Sequence, residues 1–92
     1  MADDKTKVSR PRVIVAIPCF NEDRFIGSVV AKAKKFADEV IVVDDGSIDD
    51  SAEVAETAGA VVHSHGKNRG YGAAIRSCLE QGASIAKLLH WG

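Results

Sequence analysis

Val40-Ile41-Val42-Val43-Asp44-Asp45-Gly46-Ser47 changes character within a few residues. Four consecutive β-branched apolar side chains give way to two acids, a glycine and a serine. A strand with one wet face alternates apolar and polar residues. An unbroken apolar run suits a strand covered on both faces, as in a parallel sheet with helices above and below. The abrupt polar end places a loop at the carboxyl end of that strand. Similar runs lie on either side. Val13-Ile14-Val15-Ala16-Ile17 is closed by Pro18, and Ala60-Val61-Val62-His63 is a third, shorter strand.

Helical spacing fills the gaps. After the first strand, Asn21 is placed to cap a helix, with Glu22 and Asp23 where the helix dipole favours acids. Ile26, Val29, Val30, Ala33 and Ala37 follow as an inward stripe, with Lys32, Lys34 and Lys35 on a solvated face. Ser47-Ile48-Asp49-Asp50 has the spacing of a capping box ahead of Val54, Ala55 and Ala58. Gly59 is positioned to end that helix. Beyond the third strand comes a polar loop, Ser64-His65-Gly66-Lys67-Asn68-Arg69-Gly70. A third helix turns Ala74, Ile75, Cys78 and Leu79 inward, with Gly82 near its end. Ala83–Gly92 suits either an extension of that helix or a fourth strand. Alternating strands and helices imply right-handed crossovers and a three-layer α/β sandwich.

Composition narrows the function. The chain has 92 residues and a formal net charge of -1, with no electrostatic bias towards nucleic acid or an anionic membrane. No apolar run reaches the ~20 residues of a membrane span. Residues 1–11 are polar and expected to be flexible, leaving 12–92 as a single domain. Cys19 and Cys78 lack metal-ligand spacing and suit buried thiols in a reducing compartment, so a cytoplasmic location is expected. His63, His65 and His90 show no arrangement that suggests a metal site.

In an open parallel sheet, ligands bind beyond the carboxyl ends of the strands. Three polar loops converge there: Pro18–Glu22, Asp44–Ser47 and His63–Gly70. Pro18 fixes the chain direction, and Phe20 offers a flat face for a base or ribose. Of the adjacent Asp44 and Asp45, one can serve structure and the other a ligand, because successive strand residues face opposite ways. Lys67, Arg69 and Arg76 can offset phosphate charge. Neither a P-loop nor a GxGxxG fingerprint is present.

Three segments in this order and spacing closely resemble the start of the family 2 inverting glycosyltransferases. They are Val13–Glu22, Glu39–Asp49 and Asn68–Ala74. The nearest look is to the branch that makes dolichyl- or polyprenyl-phosphate sugars. The resemblance implies a Rossmann-like GT-A fold, a parallel sheet sandwiched by helices, here cut to about three strands and three helices. It implies a UDP- or GDP-sugar donor and transfer with inversion to an acceptor such as a polyprenyl phosphate. It assigns Pro18, Phe20 and Glu22 to the nucleotide. Asp45 becomes the reader of base or ribose, with Asp44 supporting it. Either Arg69 or Arg76 would approach base or phosphate.

The same resemblance implies a later strand ending in a DxD motif for Mg or Mn, and a general base beyond it. Gln81–Gly92 contains no acid at all. The chain is therefore expected to be the nucleotide-binding N-terminal part of such an enzyme, without catalytic or metal-ligating residues and inactive alone. The alternatives are a stand-alone nucleotide-binding regulatory module and a self-assembling one. A half-sandwich with an open sheet edge and apolar helix faces also predicts homo-oligomers.

Overall fold

A computed structural model of the chain describes residues 12–90. The segment 1–11, expected to be flexible, and the terminal Trp91-Gly92 lie outside the described residues. The elements run β1 (Ile14–Cys19), α1 (Ile26–Lys34), β2 (Glu39–Asp44), α2 (Ser51–Thr57), β3 (Val61–Ser64) and α3 (Tyr71–Leu88). The strands form one parallel sheet in the order β1-β2-β3. Both crossovers step the same way across it, so a single handedness places α1 and α2 on one face. The chain then crosses to the other face, where α3 packs back over β1 and β2.

β2 is the axis of the molecule. Val40 and Val42 join Cys19, Ile26, Val30 and Ala55 in the core beneath α1 and α2. Ile41 and Val43 join Ala74 and Cys78 beneath α3. All four strand residues are at most 3% exposed. Each fully buried Val or Ile contributes about 1.5–3 kcal/mol, which is why this strand has to be apolar without alternation.

Three expectations are corrected. Leu79 does not face inward; it is 71% exposed. The stripe α3 lays on the sheet is Ala74, Cys78 and Ile85, and Leu79 lies around the helix from it. Val29 is likewise exposed, because Ile26 and Val30 fill the inward positions of α1. β3 begins at Val61 and not at Ala60, which is buried where the chain turns out of α2. Ala83–Leu88 continues α3, which runs through Gly82 to Leu88, and Leu89 and His90 follow as a turn. Gly59 ends α2 as expected, at φ 108°. Both cysteines are free and buried. Among the described residues no helix is long and apolar enough to cross a membrane.

Candidate functional site

The three strands end level. Cys19 pairs with Asp44, and Asp44 with Ser64. Each ladder continues one residue further: Asp45 N–H donates to the Cys19 carbonyl at 2.8 Å, and His65 N–H to the Asp44 carbonyl at 2.9 Å. The loops after β1, β2 and β3 therefore leave the same rim, as the α/β topology requires.

Asp44 and Asp45 are both buried, and their partners lie on opposite sides of the sheet. On the α1/α2 side, Ser47 donates its hydroxyl to Asp44 Oδ1 and accepts the Asn21 N–H at 2.8 Å. Asn21 Oδ1 in turn accepts the Ile48 N–H at 2.9 Å. Ser51 Oγ accepts the Glu22 N–H at 2.7 Å, and Asp49 Oδ2 accepts the Asp23 N–H at 3.2 Å. The first and second loops are thus laced together by short polar side chains. Burial opposes ionisation of Asp49, but the hydrogen bonds from Ser51 and Asp23 prevail and hold its carboxyl below the ordinary value.

This lacing overturns both capping expectations. Asn21 sits at φ 53°, and α1 begins only at Ile26, preceded by Phe25 without a side-chain cap. Ser47 likewise caps nothing. Asp49 Oδ1 instead accepts the Ser51 N–H at 2.9 Å, at the first residue of α2. In each case a partner across the loop has taken the side chain that sequence assigns to its own helix.

Asp45 organises the α3 side. Its Oδ1 accepts from His65 Nδ1 at 2.7 Å and from the Arg69 N–H at 2.8 Å. Its Oδ2 accepts from the Gly70 N–H at 3.0 Å. Its backbone carbonyl accepts the Asn68 amide at 3.3 Å. The bond from His65, followed by that from the Arg69 backbone, holds the Asp45 carboxyl below its ordinary value. An ionised carboxylate offers about four acceptor positions. Three are filled, and the open one is on Oδ2.

That carboxylate borders a cleft of about 270 Å³. Pro18, Cys19, Phe20 and Glu22 line it from the first loop. Asn68, Tyr71 and Ala74 line it from the third loop and the start of α3. Half-exposed Phe20 and exposed Tyr71 give it aromatic surface. The volume is just under the ~300–1,000 Å³ of sites that enclose a whole drug-sized ligand, which suits part of an extended one. Of the residues singled out in the sequence, Pro18, Phe20, Glu22 and Asp45 meet here. Asp44 braces the loops from behind. Arg69 reaches Asp45 by its backbone, and Arg76 lies exposed on α3 outside the lining.

His65, Asn68 and Tyr71 belong to the same cluster; sequence places their loop and segment at the rim without singling out these three side chains. The available signal is register. If β2 and β3 end level, the residue after each end, Asp45 and His65, must be neighbours. Among the described residues no group of three or more His, Cys, Asp or Glu side chains could hold a metal ion. These residues do not by themselves fit a divalent cation.

Comparison with known proteins agrees with this fold. The profile of glycosyl transferase family 2 matches residues 14–84. An uncharacterised protein of Methanocaldococcus jannaschii is 37% identical over 70 residues, spanning 75% of this chain and 29% of that protein. Protein RfbJ of Shigella flexneri is 43% identical over 54 residues, 56% of this chain and 42% of its own. Mannosyl-3-phosphoglycerate synthase from Rubrobacter xylanophilus superposes with a TM-score of 0.68 at 26% identity, covering 82% of this chain and 28% of that one. Glucosyl-3-phosphoglycerate synthase from Mycobacterium tuberculosis was solved with Mn²⁺, uridine-diphosphate-glucose and phosphoglyceric acid. It superposes with a TM-score of 0.63 at 32% identity, covering 77% of this chain and 29% of that one. The chain thus spans less than half the length of each.

Proposed function

The chain belongs to glycosyl transferase family 2, and from that premise we propose that its cleft holds the nucleoside end of a nucleotide-sugar donor. The observation that carries this reading is the open acceptor position on Asp45 Oδ2, in a cleft with aromatic surface. A single acceptor suits a uracil ring, which presents one N–H between two carbonyls. Guanine presents two parallel donors and asks for both carboxylate oxygens, but Oδ1 is already saturated. Uridine is therefore preferred to guanosine, and the M. tuberculosis structure holds a uridine nucleotide. Pro18, Phe20, Glu22 and Asp45 are the proposed nucleotide residues, with Asp44 supporting them from the other side of the sheet through Ser47. Arg69 and Arg76 remain the basic side chains available to the diphosphate.

The acceptor is proposed to be a phosphorylated molecule. The polyprenyl phosphate that the sequence resemblance implies and the phosphoglyceric acid held by the M. tuberculosis enzyme have a phosphate group in common. Mg²⁺ or Mn²⁺ would enter with ligands from outside the described residues, so this chain is proposed to bind donor without turning it over, in the cytoplasm. Calorimetry with UDP and GDP, each with and without Mn²⁺, tests the reading. The expected Kd for UDP is about 0.1–1 mM. GDP should bind at least about tenfold more weakly, the cost of one charged hydrogen bond mismatched. Equal or tighter binding of GDP would refute the assignment of Asp45.

Self-association is proposed through the outer edge of β1. Among the described residues that edge is unpaired, and its Ile14–Ile17 stretch carries neither a charge nor a proline to blunt it. Sedimentation is expected to show a concentration-dependent dimer. A monomer at millimolar concentration would contradict it.

A further inference from the structure

Resting on the nucleotide reading, we propose that His65 is a positioning residue for base recognition, one that fixes which lone pair of Asp45 is left open to the cleft. The His65 side chain is 1% exposed, so both ring nitrogens depend on protein partners. Nδ1 lies 2.7 Å from Asp45 Oδ1, and Nε2 lies 2.7 Å from Ser77 Oγ. An ionised carboxylate only accepts, so Nδ1 carries a proton and donates. In the neutral ring Nε2 then accepts, and the Ser77 hydroxyl donates to it. Ser77 is itself buried on α3, one turn after the cleft-lining Ala74.

The chain Asp45–His65–Ser77 thus ties the end of β2 to the end of β3 and to α3. It does more than join them. The imidazole fills Oδ1 together with the Arg69 N–H, which leaves the vacancy on Oδ2 and fixes its direction. Without the Nδ1 donor, Oδ1 gains a vacancy and the carboxylate can turn. Asp45 would then offer two acceptor positions in changing directions. A single-donor base would be held less well and a two-donor base less badly. His65 touches no substrate in this scheme and acts through Asp45.

Two amide substitutions separate the ends of the ring. The asparagine amide falls near the place of Nδ1, and the glutamine amide near that of Nε2. In the full chain, His65→Asn keeps the donor to Asp45 and loses only the bond to Ser77, so it is expected to weaken UDP by no more than about threefold and to shrink the UDP-to-GDP ratio only slightly, as Ser77→Ala does. His65→Gln should weaken UDP by about tenfold, the scale of a lost charge-assisted bond, and shrink the UDP-to-GDP ratio. Ser77→Ala, which removes only a hydroxyl, should weaken UDP about twofold to threefold and shrink the ratio in the same direction. A packing role alone would move affinity for both nucleotides together and leave their ratio unchanged.

Circular dichroism establishes that each variant is folded. An unchanged ratio in both His65→Gln and Ser77→Ala overturns the inference, as does equal loss in the asparagine and glutamine variants. If His65→Gln does not fold, the ratio in Ser77→Ala decides alone. No binding of UDP by the unsubstituted chain overturns the nucleotide reading and this inference with it. Binding by that chain, with no loss of selectivity in the variants, overturns the inference only.

Discussion

Gly46→Ala is expected to lower the stability of the chain by about 3–5 kcal/mol, among the largest effects a single methyl produces. Two independent costs add. Gly46 sits at φ 76°, where an L side chain costs about 1–2 kcal/mol. A Cβ there would also lie 2.2 Å from the Asn68 nitrogen and 2.2 Å from the Lys67 carbonyl carbon. These are backbone atoms and cannot rotate away, so the third loop must leave Asp45. Thermal denaturation is expected to show a fall in Tm of at least about 12 °C for a domain of this size, with loss of UDP binding. Gly66→Ala is the control. Gly66 has a similar φ of 83° but nothing within 4 Å of its Cβ position, so only the conformational cost applies. Equal falls in Tm for the two variants would show that the close approach of the second and third loops contributes nothing.

That close approach also marks where sequence reasoning stops. Val40–Val43 announces itself because a strand buried on both faces cannot afford a polar residue, and β2 is such a strand. The common rim follows from parallel topology, and with it the grouping of Pro18, Phe20, Glu22 and Asp45. Loop struts are harder to see. Asn21, Ser47 and Asp49 are the residue types that cap helices, and capping is their local option. In the fold Ser47 instead accepts a bond from a residue 26 positions away, a competition decided by proximity that linear spacing does not encode. Leu79 fails for another reason: helical period gives the direction of a face but not the width of the sheet beneath it. His65 is invisible until two strands are set in register, and then it follows at once.

Asp45→Asn is the second large effect, expected to weaken UDP binding by roughly 100-fold, the upper range for a hydrogen bond to a charged group. An amide keeps one acceptor oxygen and replaces the other by a donor. The site supplies three donors of its own: His65 Nδ1, the Arg69 N–H and the Gly70 N–H. With the amide oxygen towards His65 and Arg69, its NH₂ meets the Gly70 N–H and the incoming base, donor against donor. Turned over, it meets His65 and Arg69 instead. Neither orientation satisfies the loop. The substitution also has a pH signature. The carboxyl of Asp45 is depressed below its ordinary 3.8 in the folded chain. Its contribution to stability is therefore fully present above that value and is lost as pH falls through it towards the folded value. The stability gap between the unsubstituted chain and Asp45→Asn should stay constant from about pH 7 to about pH 5 and close below 3.8. Urea titrations across that range measure it. Two curves that stay parallel into acid would mean that folding does not lower the pKa of the Asp45 carboxyl at all, so the bonds from His65, Arg69 and Gly70 would give no preference to its ionised form, and the count of open acceptor positions behind the uridine preference would fail with it.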